Sequence, residues 1–364
     1  MTGFPEGRAV VYCQGAFATP NGKTAHGLVR FTRRYEVLSV VDGSCAGRDA
    51  GVVLDGRHRG IPVLATLEEA LKHGKDAGRP ATHLVVGLAP DGGRLPPSAK
   101  DDMAAAIRAG LHVDSGLHDF LSEDPLLSRL AAERGVRIRD VRKPPSRNEL
   151  SSFSGRIRQV RAPRLAVLGT DSALGKRTTA VLLTEALRGL GCNAEFIGTG
   201  QTSWLQGARH CIVLDSIIND FVAGEIERVV CLADERENPD VIVIEGQGSL
   251  LNPAYPGGFE ILAAARPELI VLQHAPARTH YDGFPDCPMD PLDRQIQAVE
   301  LIGRRPPAAI TLNHEGLDEG RIPAVCEDIS RRTGLPVFDV LLQGAQPLAR
   351  RILSEAKSLC RPSA

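Results

Sequence analysis

At 364 residues the chain exceeds the ~250–300 residues at which a single core stops growing, so two domains of ordinary size are expected. Hydrophobic residues at 43% and charged residues at 24% exclude a disordered polymer, and 43 basic against 44 acidic side chains leave a net charge of -1, which excludes a strongly basic nucleic-acid binder. With 37 glycines and only 4% aromatic residues, the composition suits an α/β protein of tight turns and not one that stacks bases on exposed rings.

The longest apolar runs, 241–244 and 269–272, are strand-length and far short of the ~20 residues that span a bilayer. Residues 1–8 carry no apolar core of a signal peptide, so a cytoplasmic location is expected. The eight cysteines (Cys13, Cys45, Cys192, Cys211, Cys231, Cys287, Cys326 and Cys360) include no C-x-x-C pair. Neither a zinc site nor a disulfide framework is expected, only buried thiols.

In chain order, strands are predicted at 8–13, 35–42 and 82–87, with short ones at 111–113 and 136–138. Helices are predicted at 67–73, 98–109 and 125–134. Residues 143–155, rich in Pro, Ser and charge, read as a linker between a domain at 1–150 and another at 151–364. The second series has strands at 165–169, 194–197, 241–245, 268–273, 308–312 and 337–340. Its helices fall at 176–190, 216–232, 291–303, 320–333 and 347–357. Strands alternating with helices predict parallel sheets, whose ligands bind at the carboxyl ends of the strands.

The stretch Leu165-Ala-Val-Leu-Gly169-Thr170-Asp171-Ser172-Ala173-Leu174-Gly175-Lys176-Arg177-Thr178 runs from an apolar strand through a glycine turn into a helix. Backbone N–H groups of such a loop, the positive helix end and Lys176 together make an anion cradle. The spacing departs from G-x-x-x-x-G-K-[ST], with five residues between the glycines, as in dethiobiotin-synthetase-like loops. Arg177 stands where a magnesium-binding hydroxyl is usual. Thr178 and Thr179 lie about 100° and 200° further round the helix, so neither takes over that role automatically.

Other strand ends carry further candidates. Glu245, before Gly-Gln247-Gly-Ser-Leu250, is placed to take a proton. Gly198-Thr-Gly-Gln201-Thr202-Ser-Trp204 offers amide and hydroxyl donors, and Asp215 is either a helix N-cap or a catalytic acid. His274 ends a strand, with Arg278 placed to pair with a substrate carboxylate, and Asn313 stands where related folds read an adenine edge. In the first half no G-x-G-x-x-G follows the first strand, so a nicotinamide-cofactor site is poorly supported, even though Asp42 ends the next strand where a ribose-binding acid would stand. A strand-end loop there presents Asp91 and Arg94.

Four of these motifs, 169–179, 198–202, 245–255 and 89–95, together resemble the D-glutamate N-acetyltransferase family of the DgcN type, long catalogued as a domain of unknown function. The resemblance covers nearly the whole chain. It implies a Rossmann-like N-terminal domain, a P-loop C-terminal domain and acetyl-CoA as donor, with its phosphates held by the loop around Gly175 and Lys176; Gly169–Thr178 and Asn313 are the cofactor-binding candidates. Departures are Ser203-Trp204 and an insertion-like stretch at 281–289, which allow an acceptor other than D-glutamate.

The expected mechanism gives Glu245 the role of base, with His274 or Asp215 as fallback, and amides 246–248 or Gln247 the oxyanion. Asp91, Arg94, Gln201, Thr202, Gln247 and Arg278 are the candidate acceptor contacts. Small-molecule partners, neither nucleic acid nor membrane, and a homo-oligomer are expected. The alternative is an ATP- and Mg²⁺-dependent ligase or kinase, with Asp171 and Glu245 as metal ligands. A non-catalytic nucleotide sensor is a third class.

Overall fold

A computed structural model of the chain describes residues 4–359; Cys360 and residues 1–3 lie outside them. Two compact units result, Met1–Pro144 with Gln201–Ala208, and Pro145–Gly200 with Arg209–Ala364.

The first unit runs β1 (Gly7–Tyr12), α1 (Lys23–Arg30), β2 (Tyr35–Val41), α2 (Ala50–Asp55), β3 (Val63–Leu64), α3 (Leu67–Asp76), β4 (His83–Val86), α4 (Lys100–Arg108), β5 (His112–Ser115), α5 (Pro125–Arg134) and β6 (Ile138–Asp140). Its six strands are parallel in the order β3-β2-β1-β4-β5-β6, the arrangement of a doubly wound dinucleotide fold. The sequence reading missed α1, α2 and β3. Two residues of β3 are too few to show alternation, and Gly27 interrupts the apolar stripe of α1.

The second series runs β7 (Arg164–Gly169), α6 (Lys176–Gly189), β8 (Ala194–Gly198), α7 (Gln201–Leu205), β9 (His210–Cys211), α8 (Asn219–Glu237), β10 (Val241–Glu245), α9 (Gly258–Glu260), β11 (Leu269–His274), α10 (Leu292–Gly303), β12 (Ala309–Leu312), α11 (Ile322–Thr333), β13 (Val337–Phe338) and α12 (Gln346–Leu359). The seven strands are parallel in the order β13-β12-β11-β7-β10-β8-β9. Both faces are buried, which is why the strands read as unbroken apolar runs. Leu165, Val167, Val243 and Val271 enter one core with Leu183 and Leu187 of α6. Ala166, Leu168, Ile244 and Ile270 enter the other with Ile226 and Val230 of α8.

The proline- and serine-rich stretch after Pro144 is strapped onto α8 and does not form a solvated tether. Glu225 accepts from Ser151 N (2.8 Å), and Glu227 accepts from Ser154 N and Oγ (2.7 Å each) and Ile157 N (3.0 Å). Glycine is required at position 224 of α8, where a Cβ would stand 1.9 Å from the Ser151 carbonyl oxygen.

Residues 201–208 leave the second sheet and complete the first unit. Leu205 is buried in its core, and the Gln206 amide donates to the carbonyls of Gly27 (2.7 Å) and Phe31 (2.8 Å) at the end of α1. Arg34, only 6% exposed, donates from Nε to the Trp204 carbonyl (2.7 Å), stacks its guanidinium 3.7 Å from the indole centroid, and ion-pairs with Glu6. Arg139 grips Glu6 (2.7 Å) and the buried Asp114 (2.5 Å) beside it. Removing one partner of such a buried pair leaves the other charge uncompensated. Arg34→Ala is expected to destabilise the first unit by about 3 kcal/mol. Urea unfolding followed by the fluorescence of Trp204, the single tryptophan of the chain, checks this.

Candidate functional site

In the second unit, strand order places the loop after β7 between the ends of β10 and β11, so Glu245 and His274 flank it. Gly169 is in register with Gln273, and Val167 with Glu245. The loop turns twice through left-handed backbone, at Ala173 (φ 51°) and Gly175 (φ 87°). Gly175 is the N-cap of α6 and has no side chain to satisfy the first-turn N–H groups, so these face the loop as anion donors. Lys176, 7% exposed, folds back to donate from Nζ to the Asp171 carbonyl (2.6 Å). Burial pulls its pKa down to about 8, against the opposing pull of Asp171 and Glu245.

The Asp171 side chain is fully buried and takes four donors. Oδ1 accepts from Asn252 Nδ2 and Ser172 N (2.7 Å each); Oδ2 accepts from Arg278 Nη1 (2.9 Å) and Asp282 N (2.8 Å). This corrects two expectations. Asp171 is a brace for the loop, its lone pairs directed at protein donors and not at a metal. Arg278, expected to clamp a substrate carboxylate, is committed to Asp171, to the Ser172 carbonyl (2.9 Å) and to Glu315 (3.0 Å), because a buried carboxylate needs a cation. Asn252 and Asp282 went unnoticed as loop partners. Asn252 follows the Glu245 motif, the one signal that pointed to it.

Asn313 also differs from expectation. It donates to the Leu174 carbonyl (3.1 Å) and accepts from Glu315 N (2.9 Å), tying the end of β12 to the phosphate loop. Ser172 Oγ bonds Asp282 (3.0 Å), while Arg177 and Thr178 are half-buried on the first turn of α6. Thr179 turns inward to Gln273 Oε1 (2.6 Å), which also receives Thr311 (2.6 Å).

Glu245 is buried at the end of β10. Its Oε2 accepts from Thr199 N (2.8 Å), its carbonyl from Thr199 Oγ1 (3.0 Å), and Gln247 Nε2 donates to the Thr199 carbonyl (2.9 Å). Thr199 was not singled out beforehand, although the Gly-Thr-Gly stretch after β8 contains it. Gly246 is needed because a Cβ there would sit 2.2 Å from the Val167 carbonyl oxygen. His274 bonds Thr170 Oγ1 through Nδ1 (3.0 Å). Burial, with Arg332's charge adding to it, pushes its pKa down to about 4, so the ring is neutral near pH 7.

Asp215 lies exposed inside the turn Leu214–Ser216 and does not cap α8, whose N-cap is Ile218. Gln201 and Thr202 belong to the first unit, where Gln201 packs against Gly116 and Thr202 Oγ1 is 3.3 Å from Thr24 Oγ1. Also in that unit, Arg94 is exposed after the turn Asp91–Gly93, and the Asp91 side chain lies outside the described residues. Asp42 is not a ribose acid there: it is buried and accepts from Phe17 N (2.6 Å), Ser44 N (2.8 Å) and Ser44 Oγ (2.6 Å), latching two loops.

A cradle whose cation titrates near 8 has a pH signature. Pyrophosphate affinity, measured by calorimetry, is expected to fall as pH rises through about 8, where Lys176 loses its proton, and Lys176→Met is expected to weaken binding and flatten that dependence.

The family model described as "Domain of unknown function (DUF1611_C) P-loop domain" matches residues 151–349, and its Rossmann-like DUF1611_N counterpart matches 43–144. A D-glutamate N-acetyltransferase of Tritonibacter scottomollicae is 31% identical over 288 residues, covering 78% of this chain and 84% of that protein. One from a Pseudoalteromonas species is 27% identical over 284 residues, covering 75% and 81%. The crystal structure of a DUF1611 family protein from Anabaena variabilis is similar over 96% of this chain and 100% of that one, at 31% identity and a TM-score of 0.87. The two family models, the relatives and the solved structure agree over most of the chain, and this chain is a member of the DUF1611 family.

Proposed function

We propose that the protein is an amino-acid N-acetyltransferase that moves the acetyl group of acetyl-CoA to the amino group of D-glutamate or a related acidic amino acid. The observation that carries this reading is the similarity, over three quarters or more of the chain, to two enzymes named for that reaction. The site chemistry supports it. The first-turn amides of α6 and the Lys176 ammonium suit the phosphates of a coenzyme. No in-line metal is needed for acyl transfer, and Asp171 is directed at protein donors.

The reaction needs a neutral amine to attack a thioester carbonyl: the N–C bond forms, the C–S bond breaks, the amine loses a proton and the thiolate leaves. Glu245 is the base in this reading, held in direction by the Thr199 N–H at the mouth of the glycine-rich turn. His274 suits the role less well, since a group titrating near 4 is a weak base at pH 7. The amides of 246–248 serve the tetrahedral oxyanion, with Gln247, fixed on Thr199, beside them. The enzyme would act in the cytoplasm on small molecules, as a homo-oligomer. Among the described residues no helix is long and apolar enough to cross a membrane.

A mass-spectrometric screen of L- and D-amino acids with acetyl-CoA tests the proposal, the expected result being an N-acetylated acidic amino acid. Stabilisation by ATP with Mg²⁺, with no acetylated product, would overturn it in favour of a ligase or kinase. Glu245→Gln is expected to lower kcat by roughly 100-fold or more while leaving acetyl-CoA affinity unchanged. Undiminished turnover removes Glu245 from the mechanism.

A further inference from the structure

Two exposed aromatic rings meet beside the phosphate loop. Tyr255 is 54% and Phe284 36% exposed, with ring centroids 6.3 Å apart and planes tilted by 57°. Such exposure is unusual in a chain with only 4% aromatic residues. Among the described residues the exposed aromatic side chains are Phe4, Phe153, Tyr255, Phe259 and Phe284; Tyr255 and Phe284 stand on the loops that follow β10 and β11, and Phe259 is in α9 between those strands.

Both loops are fastened to the site already described. The Tyr255 carbonyl accepts from Ser249 N (2.9 Å), and the Tyr255 backbone packs so closely on Gly248 (φ 50°) that a Cβ there would stand 1.7 Å from the Tyr255 oxygen. Asn252 Oδ1 accepts from Tyr255 N (3.1 Å), and its Nδ2 donates to Asp171 (2.7 Å). Phe284 N donates to the Tyr281 carbonyl (2.9 Å), within a loop whose Asp282 N also ends on Asp171 (2.8 Å). The ring pair therefore bridges the Glu245 turn on one side and the phosphate loop on the other.

We infer that Tyr255 and Phe284 form an aromatic rim that grips the pantetheine arm of coenzyme A between its phosphates and its thioester. This rests on the acetyl-CoA reading above. A ligand with phosphates at Lys176 and its reacting carbon at Glu245 must run its linking segment from one loop to the other. That segment, in CoA, is a chain of methylenes, a gem-dimethyl group and two amides. Two tilted rings present apolar faces to such a chain at little entropic cost, because each aromatic side chain has only two rotatable bonds. Both rings are exposed on their loops, which suits a partner that comes and goes.

The test compares two ligands that differ only in that arm, CoA and 3′-phospho-ADP, by calorimetry on the full chain. Wild-type protein is expected to bind CoA more tightly. Tyr255→Ala and Phe284→Ala are each expected to lower CoA affinity by about tenfold while leaving 3′-phospho-ADP within about twofold. Tyr255→Phe, which keeps the ring, is expected to retain CoA binding, and unchanged melting temperatures show that the variants fold. Equal losses for both ligands, or no loss for either, overturn the rim. So does loss of self-association with CoA affinity intact, which would assign the rings to a second copy of the chain. If wild-type protein binds neither ligand, the acetyl-CoA reading itself fails and takes the rim with it.

Discussion

A carboxylate removed from water must find donors for its lone pairs, and the loops around the site are arranged by that requirement at Asp171. Its four donors come from the phosphate loop itself, from the turn beyond β10 and from two positions beyond β11. The cost of leaving a charge buried and unpaired exceeds the worth of any single contact here, so the three segments hold one arrangement. The positions of Lys176, the Arg278 guanidinium and the aromatic pair all follow from it. Preorganisation of this kind lets a loop present backbone donors without reorganising when charge arrives.

A second constraint acts through strand order. Because β7 lies between β10 and β11, an acid and an imidazole end up on opposite flanks of the same glycine turn. Burial then separates their properties: His274 is driven to its neutral form, while Glu245 is aimed by a backbone N–H from the end of β8. Lys176, buried in the same loop, is pulled towards neutrality by desolvation and held back by Asp171 and Glu245.

What was legible in the sequence is what is local. The strand, glycine turn and helix from 164 to 189 follow from an apolar run, a left-handed glycine and a helical stripe within one stretch of chain, and the structure has them with nearly the predicted bounds. Glu245 and His274 were found at strand ends for the same reason. The choice of partner was not legible. Arg278 reads as a ligand-binding cation until the distant Asp171 claims it, and nothing in the spacing shows that Asp42 is taken up by Phe17 N and Ser44. Gln201 and Thr202 follow a strand of one sheet yet pack in the other unit, where Leu205 is buried in the core and the Gln206 amide is bonded to the Gly27 carbonyl. Residue spacing carries no record of such long-range pairing.

The route of the chain at α7 has a consequence for modularity. Two residues after the amide that orients Glu245, the backbone enters the core of the unit built from the amino-terminal half. Cutting the gene at the paired prolines 144 and 145 would separate the amino-terminal fragment from residues 201–208, which belong to its unit and supply Leu205 to its apolar core. Exchange of either sheet between relatives would therefore have to carry residues 201–208 with the half they complete.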